Sequence, residues 1–303
     1  MRPASLLISL LFLAAPLVAQ SPAARQPIID VHLHALPVDF LGEEFDVPGM
    51  TRPASDEVNL RAALAGLERY NIIRAIVSGP LELVERWRQA DPERLVGSPV
   101  FPHFFPPPSL DRIREDVRTN RIGALGEITA QYGGLSPSDP QLEPIFALAE
   151  ELDLPVGIHT GLGPPGSPYH CCPEFRMDLG RPLLLEELLV RHPRLRVYLM
   201  HAGYPHQAET VALLSMYPQV YADIAVLNWA LPREEFHTYL RGLIRAGLGN
   251  RLMFGSDQMV WPEAIGMAIE GVESAEFLSA EQKRDIFCRN AARFLRLDLQ
   301  VCE

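Results

Sequence analysis

The chain has 303 residues, of which 48% are hydrophobic, and a formal net charge of −11. This acidic excess disfavours binding to nucleic acids and to anionic membrane surfaces, because both carry charge of the same sign. The remaining expectation is a small-molecule partner, and the apolar content is sufficient for a large buried core.

The N-terminus has the features of an export signal. Arg2 is followed by the apolar run SLLISLLFLAAPLVA and then by the small residues Ala23 and Ala24. The run is shorter than the roughly 20 residues that a membrane-spanning helix needs. We therefore expect residues 1–24 to be a signal peptide that is removed, which predicts a periplasmic or secreted protein without stable membrane insertion. An uncleaved membrane anchor is the alternative.

Residues 25–303 alternate between short apolar runs and amphipathic segments. The runs predict strands over 28–34, 74–79, 95–101, 123–129, 155–161, 196–203, 220–226 and 251–257. Apolar residues at three- and four-residue spacing, such as Leu60, Leu64 and Leu67, predict a helix after each strand. Eight such units predict an α/β protein with a single (β/α)8 TIM barrel over 25–303. An open doubly wound sheet is the alternative, but no glycine-rich dinucleotide motif follows the first strand.

Six side chains of metal-binding type lie at the carboxyl ends of predicted strands. His32 and His34 share one face of the first strand, because side chains two residues apart point the same way. The other four are Glu127 on the fourth strand, His159 on the fifth, His201 on the sixth and Asp257 on the eighth. Parallel barrels build active sites on this rim. Imidazoles and carboxylates suit first-row metals, so the sequence predicts one or two divalent ions, with Zn²⁺ first among them.

Each of these residues alone also has an ordinary structural interpretation. A single histidine at a strand end often only satisfies a buried hydrogen bond. Glu127 can cap a turn, and Asp257 can be the N-cap of a helix. The placement of all six on one rim favours the metal site.

The motifs DVHLH, GEI, IHTG, LMHAG and FGSD, in this order, resemble the amidohydrolase superfamily, and in particular its amidohydrolase-related (amidohydrolase 2) branch. The resemblance extends over nearly all of residues 25–303. It implies a metal-dependent hydrolase, and many relatives associate as dimers, so a homodimer is an expectation.

The resemblance also implies a role for each candidate ligand. His32, His34 and Asp257 would hold the more buried ion, and Asp257 would be the catalytic group that transfers the proton. His159 and His201 would hold a second ion, or water and substrate in one-metal members. Glu127 stands where many relatives have a bridging ligand. Other relatives bridge with a carbamylated lysine, which is excluded here because Lys283, near the C-terminus, is the only lysine.

Two reactions and one non-catalytic role remain open on this basis. The first is hydrolysis of an amide, ester or lactone by metal-activated hydroxide, with Asp257 transferring the proton. The second is decarboxylation by a single-metal enzyme that resembles amino-carboxymuconate-semialdehyde decarboxylase and needs no carboxylate on the fourth strand. The third is a silent barrel that only binds ligands. Glu127 favours hydrolysis.

The loops that follow the strands supply candidate substrate contacts. These are His103, Tyr132, Tyr169, Arg176 and Trp261. The run from His170 to Cys172 is interpreted first as loop and second as an accessory metal site, because consecutive residues rarely converge on one ion.

The four cysteines lie in a chain with export features, where disulfides are expected. Cys171 and Cys172 are adjacent, and we do not expect them to bond to each other. Cys288 and Cys302 are predicted to form a disulfide.

Overall fold

The structure is a computed structural model that describes residues 25–42 and 45–303. The predicted signal peptide, residues 1–24, lies outside the described residues. The described part contains eight strands, one for each predicted apolar run. They are β1 Ile28–His34, β2 Ile72–Gly79, β3 Leu95–Pro99, β4 Leu125–Ile128, β5 Val156–His159, β6 Val197–Met200, β7 Val220–Asp223 and β8 Leu252–Met253.

Helices follow the strands along the chain, as predicted. They are α1 Asp56–Arg69, α2 Leu81–Ala90, α3 Leu110–Arg118, α4 Glu143–Glu151, α5 Ser167–His170, α6 Glu186–Arg191, α7 Gln207–Met216, α8 Leu227–Ala230, α9 Arg233–Arg245, α10 Glu263–Glu273, α11 Ala280–Arg284 and α12 Asn290–Leu295. α1 shows why such segments are helical: Oγ of Ser55 accepts the N–H of Val58 as an N-cap, and one face of the helix buries Leu60 and Leu67. No helix in the described part of the chain is long and apolar enough to cross a membrane.

All strand pairs are parallel and form two sheets. The first has the order β1-β2-β3 and the second the order β4-β5-β6-β7-β8. Hydrogen bonds also connect the two sheets at both ends: the N–H of Thr129 donates to O of Phe101 at 2.7 Å, and the N–H of Val31 donates to O of Phe254 at 3.1 Å. Spatial order follows chain order without the reversal that a doubly wound sheet requires, which argues against that alternative.

The core lies inside the strands and between strands and helices. All seven residues of β1 are buried, which fits a parallel sheet covered on both faces. Large side chains from the surrounding helices, including Trp87, Phe146 and Phe236, are at most 1% exposed. This packing holds the carboxyl ends of the strands in fixed positions, where the candidate ligands lie.

Two disulfides are present, and the described residues contain no free cysteine. The predicted Cys288–Cys302 bond is one of them. The other joins Cys171 to Cys172, so the expectation for this pair was wrong. Cys171 ends the short helix α5 and is not part of an extended segment, in which neighbouring side chains would point to opposite sides. The bond consumes both thiols, which argues against the accessory metal site.

Candidate metal centre

The structure brings all six predicted ligands together at the carboxyl ends of the strands. His32 and His34 end β1, Glu127 lies in β4, and His159 ends β5. His201 and Asp257 lie just beyond β6 and β8. The six side chains form three overlapping groups in which ligand atoms lie within 4.8 Å of one another: His32, His201 and Asp257; His32, His34 and Glu127; and Glu127, His159 and His201. Each residue is at most 8% exposed.

One ring nitrogen of each histidine is bonded to a protein oxygen outside this cluster. Nδ1 of His32 lies 2.9 Å from Oδ2 of Asp223, Nδ1 of His34 lies 3.3 Å from O of Ser78, Nε2 of His159 lies 3.1 Å from O of Leu162, and Nδ1 of His201 lies 3.2 Å from O of Ala225. Carbonyl and carboxylate oxygens only accept, so in His32, His34 and His201 these partners place the hydrogen on the outer nitrogen, and the inner nitrogen keeps its lone pair for a metal. Both ring nitrogens of His159 face acceptors, because its Nδ1 contacts Oε1 of Glu127.

Glu127 lies between the histidines of β1 and those of β5 and β6. Its Oε2 is 3.6 Å from Nε2 of His34, and its Oε1 is 3.7 Å from Nε2 of His201 and contacts Nδ1 of His159. The preceding Gly126 has a φ of +129°, and a Cβ there would lie 2.4 Å from O of Gly157. A glycine is therefore needed to bring the carboxylate to this point.

The arrangement of donor atoms fits a divalent cation. The inner nitrogens of His32 and His34 are only 3.1 Å apart, so either a proton on one of the rings or a cation bound by both must separate the two lone pairs. Oδ1 of Asp257 is buried 3.1 Å from Nε2 of His34, and with the His34 hydrogen on Nδ1 no group in residues 25–42 and 45–303 donates to this oxygen. A mixed set of imidazole nitrogens and carboxylate oxygens is the kind that Zn²⁺ and its neighbours accept.

The pKa values of the candidate ligands also indicate that the site stabilises positive charge. Burial raises the pKa of Asp257, but His32, His34 and His201 outweigh it and lower the pKa to about 2. Burial raises the pKa of Glu127, but the contact with His159 and the nearby ring of His201 outweigh it and hold the pKa well below its usual range. Burial lowers the pKa of His32, but the carboxylates of Asp257, Asp223 and Glu127 raise it to about 10. Without a metal, a proton supplies the positive charge.

Two of the ligands adopt backbone conformations that non-glycine residues rarely adopt. The φ angles of His201 and Asp257 are +63° and +47°. Each backbone is held by hydrogen bonds, since the N–H of His201 donates to Oδ1 of Asp223 and the N–H of Asp257 donates to O of His32. Such left-handed residues concentrate at functional sites, where the surrounding structure fixes them.

Asp223 is the residue of this site that the sequence analysis missed. It ends β7 and is fully buried. The available signal was its place in the run VYADIAV, where an acidic residue interrupts a buried strand at the end that carries the other candidates. Asp30 was also missed. Its Oδ1 accepts the N–H groups of His32 and Ser256, each at 3.0 Å, and so fixes β1 against the segment after β8.

The structure separates the predicted substrate contacts into three groups. The ring of Tyr132 lies 4.8 Å from that of His159 and so beside a candidate ligand, whereas the His103 ring lies 6.4 Å from that of Tyr132 and is one ring further out. Tyr169 and Arg176 line a cavity of about 700 Å³ in the loop after β5. Trp261 is 2% exposed and packs in the core, and its contact with substrate stays a prediction.

The sequence of residues 29–297 matches the family described as "Amidohydrolase". The chain belongs to this family. Members of the family depend on metal ions, in accord with the cluster of histidines and carboxylates. The protein is thus an enzyme of the amidohydrolase family. Lys283, in α11, pairs with Glu273 at 3.5 Å and takes no part in the site, so it does not supply a bridging carbamylated lysine.

A curated relative is the protein fluG of Emericella nidulans, which is 26% identical over 114 residues. This match covers 38% of the chain and 12% of fluG, so it spans only about an eighth of that relative.

Solved structures show the same fold at low identity. An uncharacterised TIM-barrel protein of Bordetella bronchiseptica has a TM-score of 0.68 at 17% identity, with 89% of this chain and 98% of that one covered. A probable 2-pyrone-4,6-dicarboxylic acid hydrolase of Acinetobacter baumannii has a TM-score of 0.64 at 14% identity, with 89% of this chain and 99% of that one covered. The 5-carboxyvanillate decarboxylase of Sphingomonas paucimobilis has a TM-score of 0.60 at 16% identity, with 90% of this chain and 100% of that one covered.

Proposed function

We propose that the protein is a metal-dependent hydrolase of a small-molecule amide, ester or lactone, built on a closed (β/α)8 barrel formed by the two sheets. The observation that carries the proposal is the position of Glu127. One carboxylate reaches His34 on one side and both His159 and His201 on the other, which is the position of a ligand shared by two ions. A decarboxylating single-metal site has no need of it.

A divalent ion held by these side chains supplies a water of lowered pKa and polarises the substrate carbonyl. The chain's own groups provide the rest of the chemistry. Asp257 has a lowered pKa and is ionised at neutral pH, and no group in the described part of the chain donates to its buried Oδ1, so this carboxylate can accept a proton from water and pass it to the leaving group. Burial of all six ligands keeps bulk water away and strengthens these charge interactions.

Decarboxylation is the second candidate, because the 5-carboxyvanillate decarboxylase shares the fold at a TM-score of 0.60. It would be of the amino-carboxymuconate-semialdehyde decarboxylase type and would need one ion, held by His32, His34 and Asp257. In that reaction Glu127 would serve only to hold His159 by a hydrogen bond, with the ring of His201 3.7 Å away.

The loop after β5 favours a substrate that carries an apolar part and an anionic group. Its cavity is walled by prolines, Phe175 and Met177. Nη1 of Arg176 donates only to the carbonyl groups of Pro173 and Phe175, and within residues 25–42 and 45–303 its guanidinium forms no ion pair with a carboxylate. Phe175 packs on Tyr132, which lies on His159, so the cavity adjoins the metal centre. A carboxylate of the substrate fits this arginine.

Export of the protein is part of the proposal. Both disulfides support it, since such bonds persist in the periplasm and outside the cell.

The experiment that separates the two reactions is elemental analysis of protein purified without chelators, for wild type and Glu127→Ala. Two ions per chain that fall to one in the variant support the hydrolase and direct the screen to esters, lactones and amides. One ion in both proteins contradicts the shared ligand and directs the screen to CO₂ release from aromatic and unsaturated acids.

A further inference from the structure

We infer that Asp223 is a positioning residue for two ligands of the metal centre at once, His32 and His201. The inference deepens the proposed function and rests on it, since it concerns the metal that the proposed reaction needs.

The two oxygens of the Asp223 carboxylate accept hydrogen bonds from different parts of the fold. Oδ2 lies 2.9 Å from Nδ1 of His32. Oδ1 accepts the backbone N–H of His201 at 2.8 Å and that of Ala225 at 3.0 Å. The side chain is fully buried, so no water competes for these bonds.

These three bonds fix the two histidines by different routes. The ring of His32 is held directly, with its hydrogen on Nδ1 and its lone pair on Nε2, toward the ligand cluster. His201 is held at its backbone by Asp223, and its ring nitrogen Nδ1 lies 3.2 Å from O of Ala225, whose own N–H is bound to Asp223. Loss of the carboxylate releases both ligands.

An isosteric amide at this position cannot make the same bonds. Asparagine has one accepting oxygen and one donating NH₂ group, whereas all three partners of Asp223 are donors. If the amide oxygen faces the two backbone N–H groups, the NH₂ group faces Nδ1 of His32. The ring must then accept there, which moves its hydrogen to Nε2 and blocks the lone pair that faces the cluster. If the amide is turned over, its NH₂ group meets two N–H donors.

The test is metal affinity in Asp223→Asn, measured by competition for Zn²⁺ with a chromophoric chelator, together with the visible spectrum of the Co²⁺ form. We expect the ion beside His32 to bind about 10–100-fold more weakly, as for other partners of ligating histidines. The matched control is Asp116→Asn. Asp116 lies on the outer helix α3, away from the candidate ligands, and its buried carboxylate pairs with Arg112 and Arg121. Loss of this carboxylate therefore lowers stability without changing metal affinity.

Affinity and Co²⁺ spectrum equal to those of wild type in Asp223→Asn overturn the inference and make Asp223 a structural residue only. Should Asp223→Asn not fold, Asp223→Glu is measured, because it keeps the charge and displaces the oxygens; wild-type affinity there also overturns the inference. Failure of the proposed function is a separate result, since in that case wild type itself binds no divalent metal.

Discussion

Glu127 and His34 approach to 3.6 Å, from Oε2 to Nε2, although β4 and β1 belong to different sheets. The candidate metal centre therefore takes ligands from both sheets, and an ion bound there connects them. Because the unfolded chain lacks this arrangement, metal binding contributes to the stability of the fold.

Removal of the metal is thus expected to lower the melting temperature. At a free metal concentration of 100 times Kd, the ion stabilises the folded state by about 2.7 kcal/mol. For a chain of this size that corresponds to about 5 °C in Tm. Calorimetry of chelated and reloaded protein measures the shift. Equal melting temperatures at saturating metal would contradict a site that joins the sheets.

Asp257→Asn is expected to lose activity and keep metal. The amide retains an oxygen ligand but cannot accept the proton, so turnover should fall about 10²–10⁴-fold. Steady-state kinetics and metal content are measured on the same preparation, with Asp116→Asn as the control for a buried carboxylate outside the site. Wild-type turnover in Asp257→Asn would end its role as the catalytic group.

Metal affinity is expected to rise with pH. The pKa of His32 is raised to about 10 in the metal-free protein, so at neutral pH this ring is protonated and an ion must displace the proton. Affinity therefore increases as pH rises, by about tenfold per unit while one proton is displaced, and the increase ends near pH 10. The pKa of His201 is also raised, which adds to the dependence in the same direction, whereas Asp257 and Glu127, whose pKa values are low, add none. Calorimetry in buffers of different ionisation enthalpy counts the protons, and none released at pH 7 would contradict the raised pKa.

All four cysteines are expected to resist thiol reagents until the protein is reduced. The bond from Cys288 to Cys302 closes a loop with a sequence separation of 14, and its removal in Cys288→Ser should cost about 3 kcal/mol. The Cys171–Cys172 bond closes almost no chain, so Cys171→Ser should cost far less and serves as the comparison. Denaturant unfolding measures both, and reactive thiols in the unreduced, denatured wild type would exclude one or both bonds.

Arg176→Met is expected to weaken binding of carboxylates in the cavity after β5. Benzoate is the probe and benzamide its neutral counterpart, and both are titrated into chelated protein so that no ion binds them. Loss of a charged hydrogen bond should lower benzoate affinity about tenfold or more and leave benzamide unchanged. Arg118→Met is the control, since Arg118 pairs with Glu115 on the outer helix α3. Equal benzoate affinity in both variants would remove Arg176 from the proposed site.

Local sequence was sufficient to predict the strands and the six candidate ligands. The side-chain period of two places His32 and His34 on one face of β1, and buried parallel strands are continuous apolar runs that end where polar ligands begin. These are properties of a few neighbouring residues, so they are readable without a fold.

Other features depended on contacts between distant parts of the chain. Asp223 is 191 residues from His32 along the sequence, and nothing in VYADIAV indicates which histidine its carboxylate meets. The burial of Trp261 and the short helix that brings Cys171 and Cys172 to one side likewise follow from packing. The sequence by itself determined which side chains are candidate ligands, since the chemistry of a donor atom belongs to its own residue. The tertiary structure alone decided their tautomers and orientation, since these depend on hydrogen-bond partners from other strands.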